Sequence, residues 1–140
     1  MPINKIMSNF DEAVADIHDG ATIMIGGFGN VVTMPCLLIE ALARNGAKDL
    51  TIVSNTTGFG ADIWRAQGYV IAEDADILFR NRQVKKVIVA SPVNPVFKNT
   101  FEFQYRAGEI EMELMSQGTL AERIQLAKAG LGPVLSLIHI

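Results

Sequence analysis

The chain has 140 residues, 49% of them hydrophobic and 19% charged, with a formal net charge of −3 and a single cysteine. That length allows one domain with a sizeable core. The acidic balance leaves no basic field for nucleic acid or an anionic membrane surface, one cysteine excludes a disulfide framework and suits a reducing cytoplasm, and no apolar run reaches the ~20 residues of a bilayer span.

The opening stretch, MPINKIMSNFDEAV, lacks the apolar core of a signal peptide. Asn9-Phe10-Asp11-Glu12 reads as a capping box before a short helix, DEAVADIH, that ends at Gly20 and buries Ala13, Val14 and Ile17. His18 has no base or nucleophile pattern around it and carries no catalytic weight. Ile23-Met24-Ile25 predicts a strand over 21–26, covered on both faces as in a parallel sheet. It runs into Gly26-Gly27-Phe28-Gly29, where glycine allows positive φ and close backbone approach to a ligand. Pro35 then suits the first position of a helix that buries Leu37, Leu38, Ala41 and Leu42 and stops at Gly46.

Strand, glycine turn and helix form the corner where open α/β sheets bind ligands. A tight turn without a ligand is the plain alternative. A dinucleotide fingerprint fails, because Val32 stands where its third glycine belongs and the next strand ends at Ser54-Asn55 rather than at an acid. Cys36 lies in the helix's first turn, where the dipole can lower a thiol's pKa. For a lone cysteine, a small buried hydrophobe is the stronger reading.

Leu50 to Ser54 predicts a second buried strand, leading into the polar loop Asn55-Thr56-Thr57-Gly58-Phe59-Gly60. The Asn55 amide can orient a substrate carbonyl or carboxylate, or simply serve the turn. Residues 60–79 are the least legible: Trp64 and Arg65 suit one helix, Ala75 to Phe79 another, with Gly68 between. Gln83 to Ala90 is again a strand. Asn94-Pro95 reads as the start of a helix with Phe97, Phe101 and Tyr105 along one face, a core stripe rather than a ligand box. Glu109 to Met115 alternates acids with Ile110, Met112 and Leu114, the period of a half-exposed strand, and its acids have no histidine or metal pattern beside them. Thr119-Leu120-Ala121-Glu122 is a capping box that starts a helix at Leu120, placing Gln117 just ahead of a helix N-terminus where developing negative charge is favoured. As residues alone, an oxyanion donor and a plain polar loop residue are not separable at Gln117.

Three motifs carry a resemblance. Asp19-Gly20, Ile23-Met24-Ile25, GGFG and a following proline resemble the signature of the α subunit of family I CoA-transferases, which include 3-oxoacid, acetoacetate, acetate and 3-oxoadipate enzymes. Ser54-Asn55 matches the family, with Thr56 where many members place a second Asn or Asp. ELMSQGTLAERI differs from the family string ELxPQGTLAERI only in Ser116 for Pro. A further departure is Thr33, where members usually carry a glycine, in a segment one residue longer. Residues 61–80 match least. LSLIHI, 135–140, reads as a non-native tail after a partial domain over 1–134, so His139 has no role.

The resemblance implies an open, mainly parallel α/β sheet from 21–26, 50–54, 84–90 and 110–115, with helices on both faces and incomplete at its C-terminal edge. It implies ping-pong transfer of CoA between two carboxylic acids, CoA being a substrate and no cofactor or metal being needed. The attacking glutamate belongs to a partner β subunit, and no glutamate here has its context. This chain supplies half a site: Gly26, Gly27, Phe28, Gly29 and Asn55 around the acyl end, with Gln117 catalytic. The glycine turn, Asn55 and Gln117 are then expected at one end of the sheet. The rival is an α/β enzyme that binds a sugar phosphate or nucleotide at the glycine turn, which would call for a basic residue that Gly26 to Pro35 lacks. No nucleic-acid or membrane partner is expected, and the cytoplasm is the expected location.

Overall fold

Short runs of Val, Ile and Leu bounded by Gly, Asn and Asp favour buried strands over helices. In the computed structural model, which describes residues 6–28, 33–66, 68, 73–92 and 98–130, four such runs form one sheet. They are β1 (Thr22–Ile25), β2 (Leu50–Thr56), β3 (Val84–Ser91) and β4 (Glu111–Leu114), in the order β1-β2-β3-β4. Every pairing is parallel, with Met24 beside Val53, Val53 beside Ile88 and Ile88 beside Glu113. The helices are α1 (Phe10–Ala13), α2 (Cys36–Asn45), α3 (Ala61–Ala66), α4 (Asp76–Arg80), α5 (Thr100–Arg106) and α6 (Gln117–Lys128).

Side chains alternate between the faces of a strand. Ile25, Ile52, Val87 and Val89 share one face and form the core with Ile39 and Leu42 of α2, Leu78 and Phe79 of α4, and Phe101 of α5. Phe79 meets Phe101 edge-on at 5.6 Å between ring centres. The other face carries Met24, Val53, Asn55, Ile88 and Glu113, and α6 lies against it. Arg123 Nη1 is 2.6 Å from Glu113 Oε1, Lys86 Nζ is 3.7 Å from Glu113 Oε2, and Leu120 is buried. Helices thus cover both faces of a parallel sheet, as expected.

Several local expectations are corrected. Among the described residues β1 is an edge strand with Met24 61% exposed, so they do not cover it on both faces. α1 has only four residues. Asn9 Oδ1 accepts from Glu12 N at 2.8 Å, but the Glu12 carboxylate accepts from Ser8 N rather than closing the box on Asn9. Of its predicted stripe Val14 is buried, while Ala13 and Ile17 are half-buried. In α2 the buried face is Ile39, Ala41 and Leu42, with Leu37 51% exposed. Pro35 is its N-cap rather than its first residue, and Gly46 ends it in the left-handed region at φ 80. α5 is capped by Asn99, whose Oδ1 accepts from Glu102 N at 3.0 Å. Asn94, Pro95 and Phe97 lie outside the described residues, as does 135–140. α6 starts at Gln117 because Ser116 is its cap, so Thr119 is already helical.

The corrected α2 face gives a direct check. Ile39→Ala is expected to destabilise by about 2–5 kcal/mol in urea unfolding, whereas Leu37→Ala should change stability by roughly 0.5 kcal/mol or less.

Candidate functional site

β2 runs two residues beyond its predicted end, so Asn55 is a strand residue whose side chain falls on the α6 face beside Val53. It is 8% exposed. Because Ser116 caps α6, Gln117 opens the helix directly above that strand end. Asn55 Nδ2 donates to Gln117 Oε1 at 2.8 Å, joining residues 62 apart in the chain. With Oε1 held by Asn55, the Gln117 amide nitrogen remains a donor that the pair does not use. The first-turn amides of α6 lie at the same place, at the positive end of a twelve-residue helix.

The glycine turn closes the third side. Gly27 has φ 122, and a Cβ there would lie 3.0 Å from the Thr33 carbonyl oxygen and 2.9 Å from Met34 Cγ, so both conformation and space require glycine. Thr33 Oγ1 accepts from Phe28 N at 2.8 Å and donates to Phe28 O at 3.1 Å, pinning the two ends of the turn together. Gly26 has neither constraint, and a Cβ there would meet nothing within 4 Å. Its bare backbone borders the opening.

A cleft of about 370 Å³ lies between the strand ends and α6. Gly26, Gly27, Asn55 and Gln117 edge it with polar groups, and Met24, Val53, Leu120 and Ile124 supply an apolar wall. Every residue lining it is uncharged. The expected convergence of the glycine turn, Asn55 and Gln117 is therefore present, while Phe28 is 65% exposed and outside the lining. Gly29 lies outside the described residues. Among the described lining residues the cleft holds donors and acceptors but no acid or base, and the Ser54 hydroxyl donates to Thr56 O at 2.8 Å.

Two buried residues that the sequence reading passed over fix the loop leaving β2. Asp74, fully buried, accepts from Phe59 N at 2.7 Å, Gly60 N at 3.0 Å and Asp76 N at 3.0 Å. Asn99 Nδ2 donates to Thr57 Oγ1 at 2.8 Å and Gly58 O at 2.9 Å. Asn99-x-x-Glu102 is itself a cap signature, so Asn99 was findable; Asp74 acts through backbone amides distant in sequence and left no local signal. Asp76 beside it accepts from Thr100 N and Oγ1, both at 3.0 Å, and burial raises its pKa despite these bonds. Cys36 is half-buried and packs against the core, and burial, then Asp74 and Glu40, raise its pKa rather than lowering it. Among the described residues no cluster of three His, Cys, Asp or Glu is placed to hold a metal ion, and no helix is long and apolar enough to cross a membrane.

Residues 7–140 match the family described as Coenzyme A transferase. The chain is 44% identical over 132 residues to the A-subunit of 3-oxoadipate CoA-transferase from Acinetobacter baylyi, covering 94% of this chain and 52% of that protein. It is 42% identical over 129 residues to the A-subunit of a probable succinyl-CoA:3-ketoacid coenzyme A transferase from Bacillus subtilis, covering 92% and 48%. The chain thus spans about half the length of the curated relatives it matches. Among solved structures it resembles glutaconate coenzyme A-transferase from Acidaminococcus fermentans, at 28% identity and a TM-score of 0.69 over 98% of this chain and 39% of that one.

The two glycines should separate on substitution. Gly27→Ala is expected to lose about 1–3 kcal/mol of stability to backbone strain, and Gly26→Ala roughly 0.5 kcal/mol or less, as read by thermal unfolding.

Proposed function

The chain belongs to the Coenzyme A transferase family, and on that premise we propose that it serves as the α subunit of an enzyme moving CoA from an acyl-CoA to a short-chain or 3-oxo carboxylic acid, with the nucleophile on a partner β subunit. The observation that carries this reading is the uncharged cleft built around the Asn55–Gln117 pair. Acyl transfer requires an activated nucleophile, and the described lining offers only the Ser54 hydroxyl, which has no base beside it and donates to Thr56 O. What it offers are neutral donors, the groups needed where a carbonyl oxygen gains charge.

The chemistry follows in four balanced displacements. A glutamate carboxylate of the partner attacks the thioester carbonyl, and the tetrahedral oxyanion collapses to an acyl-glutamyl anhydride and CoA thiolate. The thiolate attacks the glutamyl carbonyl, releasing the first acid and leaving a glutamyl-CoA thioester. The second acid reverses both steps. Each displacement passes through an oxyanion. The Gln117 amide nitrogen, held in orientation by Asn55 through Oε1, and the first amides of α6 are donors for it. The glycine turn lets the acyl end approach the backbone at Gly26, and the apolar wall of Leu120 and Ile124 excludes water from the anhydride.

The absence of a lysine or arginine from the described lining disfavours a sugar phosphate or nucleotide, whose charge such a site would have to meet. CoA enters this scheme as a substrate. The lone Cys36 suits a reducing cytoplasmic setting.

Reconstitution tests the proposal. The chain alone should transfer no CoA, and activity should appear only in complex with a β subunit. In that complex Gln117→Ala is expected to lower kcat by about 10²–10³ with little change in KM, as for loss of one oxyanion donor. Turnover by the isolated chain, or a Gln117→Ala effect confined to KM, would contradict it.

A further inference from the structure

Asn99 does two separate things with one side chain. Its Oδ1 accepts from Glu102 N at 3.0 Å, which caps α5. That bond needs only an oxygen, and serine or aspartate would supply it as well. The Nδ2 group has a different destination. It donates to Thr57 Oγ1 at 2.8 Å and to Gly58 O at 2.9 Å, 42 and 41 residues away along the chain. Asn99 is buried, so its amide is committed to these protein partners. Capping accounts for the oxygen and leaves the nitrogen without a reason.

The segment that receives the nitrogen is the end of β2. Ser54 Oγ donates to Thr56 O at 2.8 Å, and Thr57 Oγ1 donates to Pro92 O at 2.7 Å, one residue past β3. Thr57 is therefore a relay, its hydroxyl accepting from the cap of α5 and donating beyond β3. Asn55 lies between these locks. Ser54 and Thr56 turn their side chains to the opposite face, and Asn55 is the residue of this strand end that reaches Gln117. The backbone around it sets where its amide sits, and a hydrogen bond weakens steeply as its geometry departs from ideal.

We infer that Asn99 is a positioning residue for the Asn55–Gln117 pair: through Thr57 and Gly58 it holds the end of β2 where the Asn55 amide meets Gln117 Oε1. The role rests on the part proposed above for the Gln117 amide in turnover. Asn99 itself is outside the cleft lining and acts through the strand end. Without its donor α5 would stay capped while Thr57 and Gly58 lost their restraint. Misplacing a reacting group by about 1 Å can cost about 10²-fold in rate.

Asn99→Ser separates the two jobs, because serine keeps a cap oxygen and is too short to reach Thr57. In the complex with a β subunit, kcat is expected to fall by about 10- to 10²-fold with KM little changed. In a Gln117→Ala background the same substitution should cost less than about 2-fold more, since its effect passes through a group already removed. Thr57→Val, which removes the receiving hydroxyl and leaves Asn99 intact, should give the same pattern to a smaller extent. In the 15N-labelled chain, the Asn55 side-chain amide should exchange about 10-fold faster or more in Asn99→Ser, while the Glu102 backbone amide stays protected. An unchanged kcat in Asn99→Ser, or an equal loss in both backgrounds, would overturn the inference, and so would an unchanged Asn55 amide. A kcat unaffected by Gln117→Ala would instead defeat the proposed chemistry, and the Asn55 amide would then decide alone whether Asn99 positions it.

Discussion

The hydrogen bond from Asn55 Nδ2 to Gln117 Oε1 is the contact on which the rest of the site depends. It ties the end of a central strand to the start of α6, which lies against that face of the sheet. Leaving the buried Asn55 amide unpaired would cost about 1–3 kcal/mol, and the exposed Gln117 side chain is oriented by accepting from it. Fixing Gln117 through its oxygen decides which of its atoms is offered elsewhere. The cap at Ser116 and the two extra residues of β2 are what bring the partners within reach.

The molecule divides its work between its two faces. One is a packed core in which Phe79, Phe101, Leu50 and Ile52 are almost wholly removed from water. The other is covered only in part, which leaves room for a cleft. Between them the loop after β2 is held by buried polar groups with their partners satisfied: Asp74 on three backbone amides, Asn99 on Thr57 and Gly58. Satisfied buried networks rigidify what they join. Gly58 belongs to that arrangement, since a Cβ there would fall 2.6 Å from Asp76 N. The result is a stiff support beneath a small set of neutral donors.

The strands were legible because buried parallel strands are continuous apolar runs, and 50–54 and 84–90 fell within one or two residues of the observed elements. The face of α2 was not. Cys36, Leu37, Leu38 and Ile39 are apolar in succession, so helical periodicity fits more than one stripe, and only docking on β1 and α4 selects Ile39. Competing caps misled in the same way. Ser116 and Thr119 both satisfy cap chemistry, and it is the Ser116 hydroxyl that accepts from a helix amide, that of Thr119. The candidate site residues were nominated through family resemblance rather than through their own chemistry. An asparagine at a strand end and a glutamine near a helix start are ordinary individually, and their pairing exists only once the fold closes the 62 residues between them. Thr33 stood out as a departure from the family pattern, and its two bonds to Phe28 show how a hydroxyl holds the turn together at that position.

The central claim is that this chain contributes donors and no nucleophile. The most direct measurement is to add acyl-CoA to the complex with its β subunit, trap the covalent thioester with borohydride, and map the modified residue by peptide mass spectrometry. The account predicts the modification on a glutamate of the partner and none on this chain. A modified residue within this chain, at Glu40, Glu122, Cys36 or elsewhere, would contradict it.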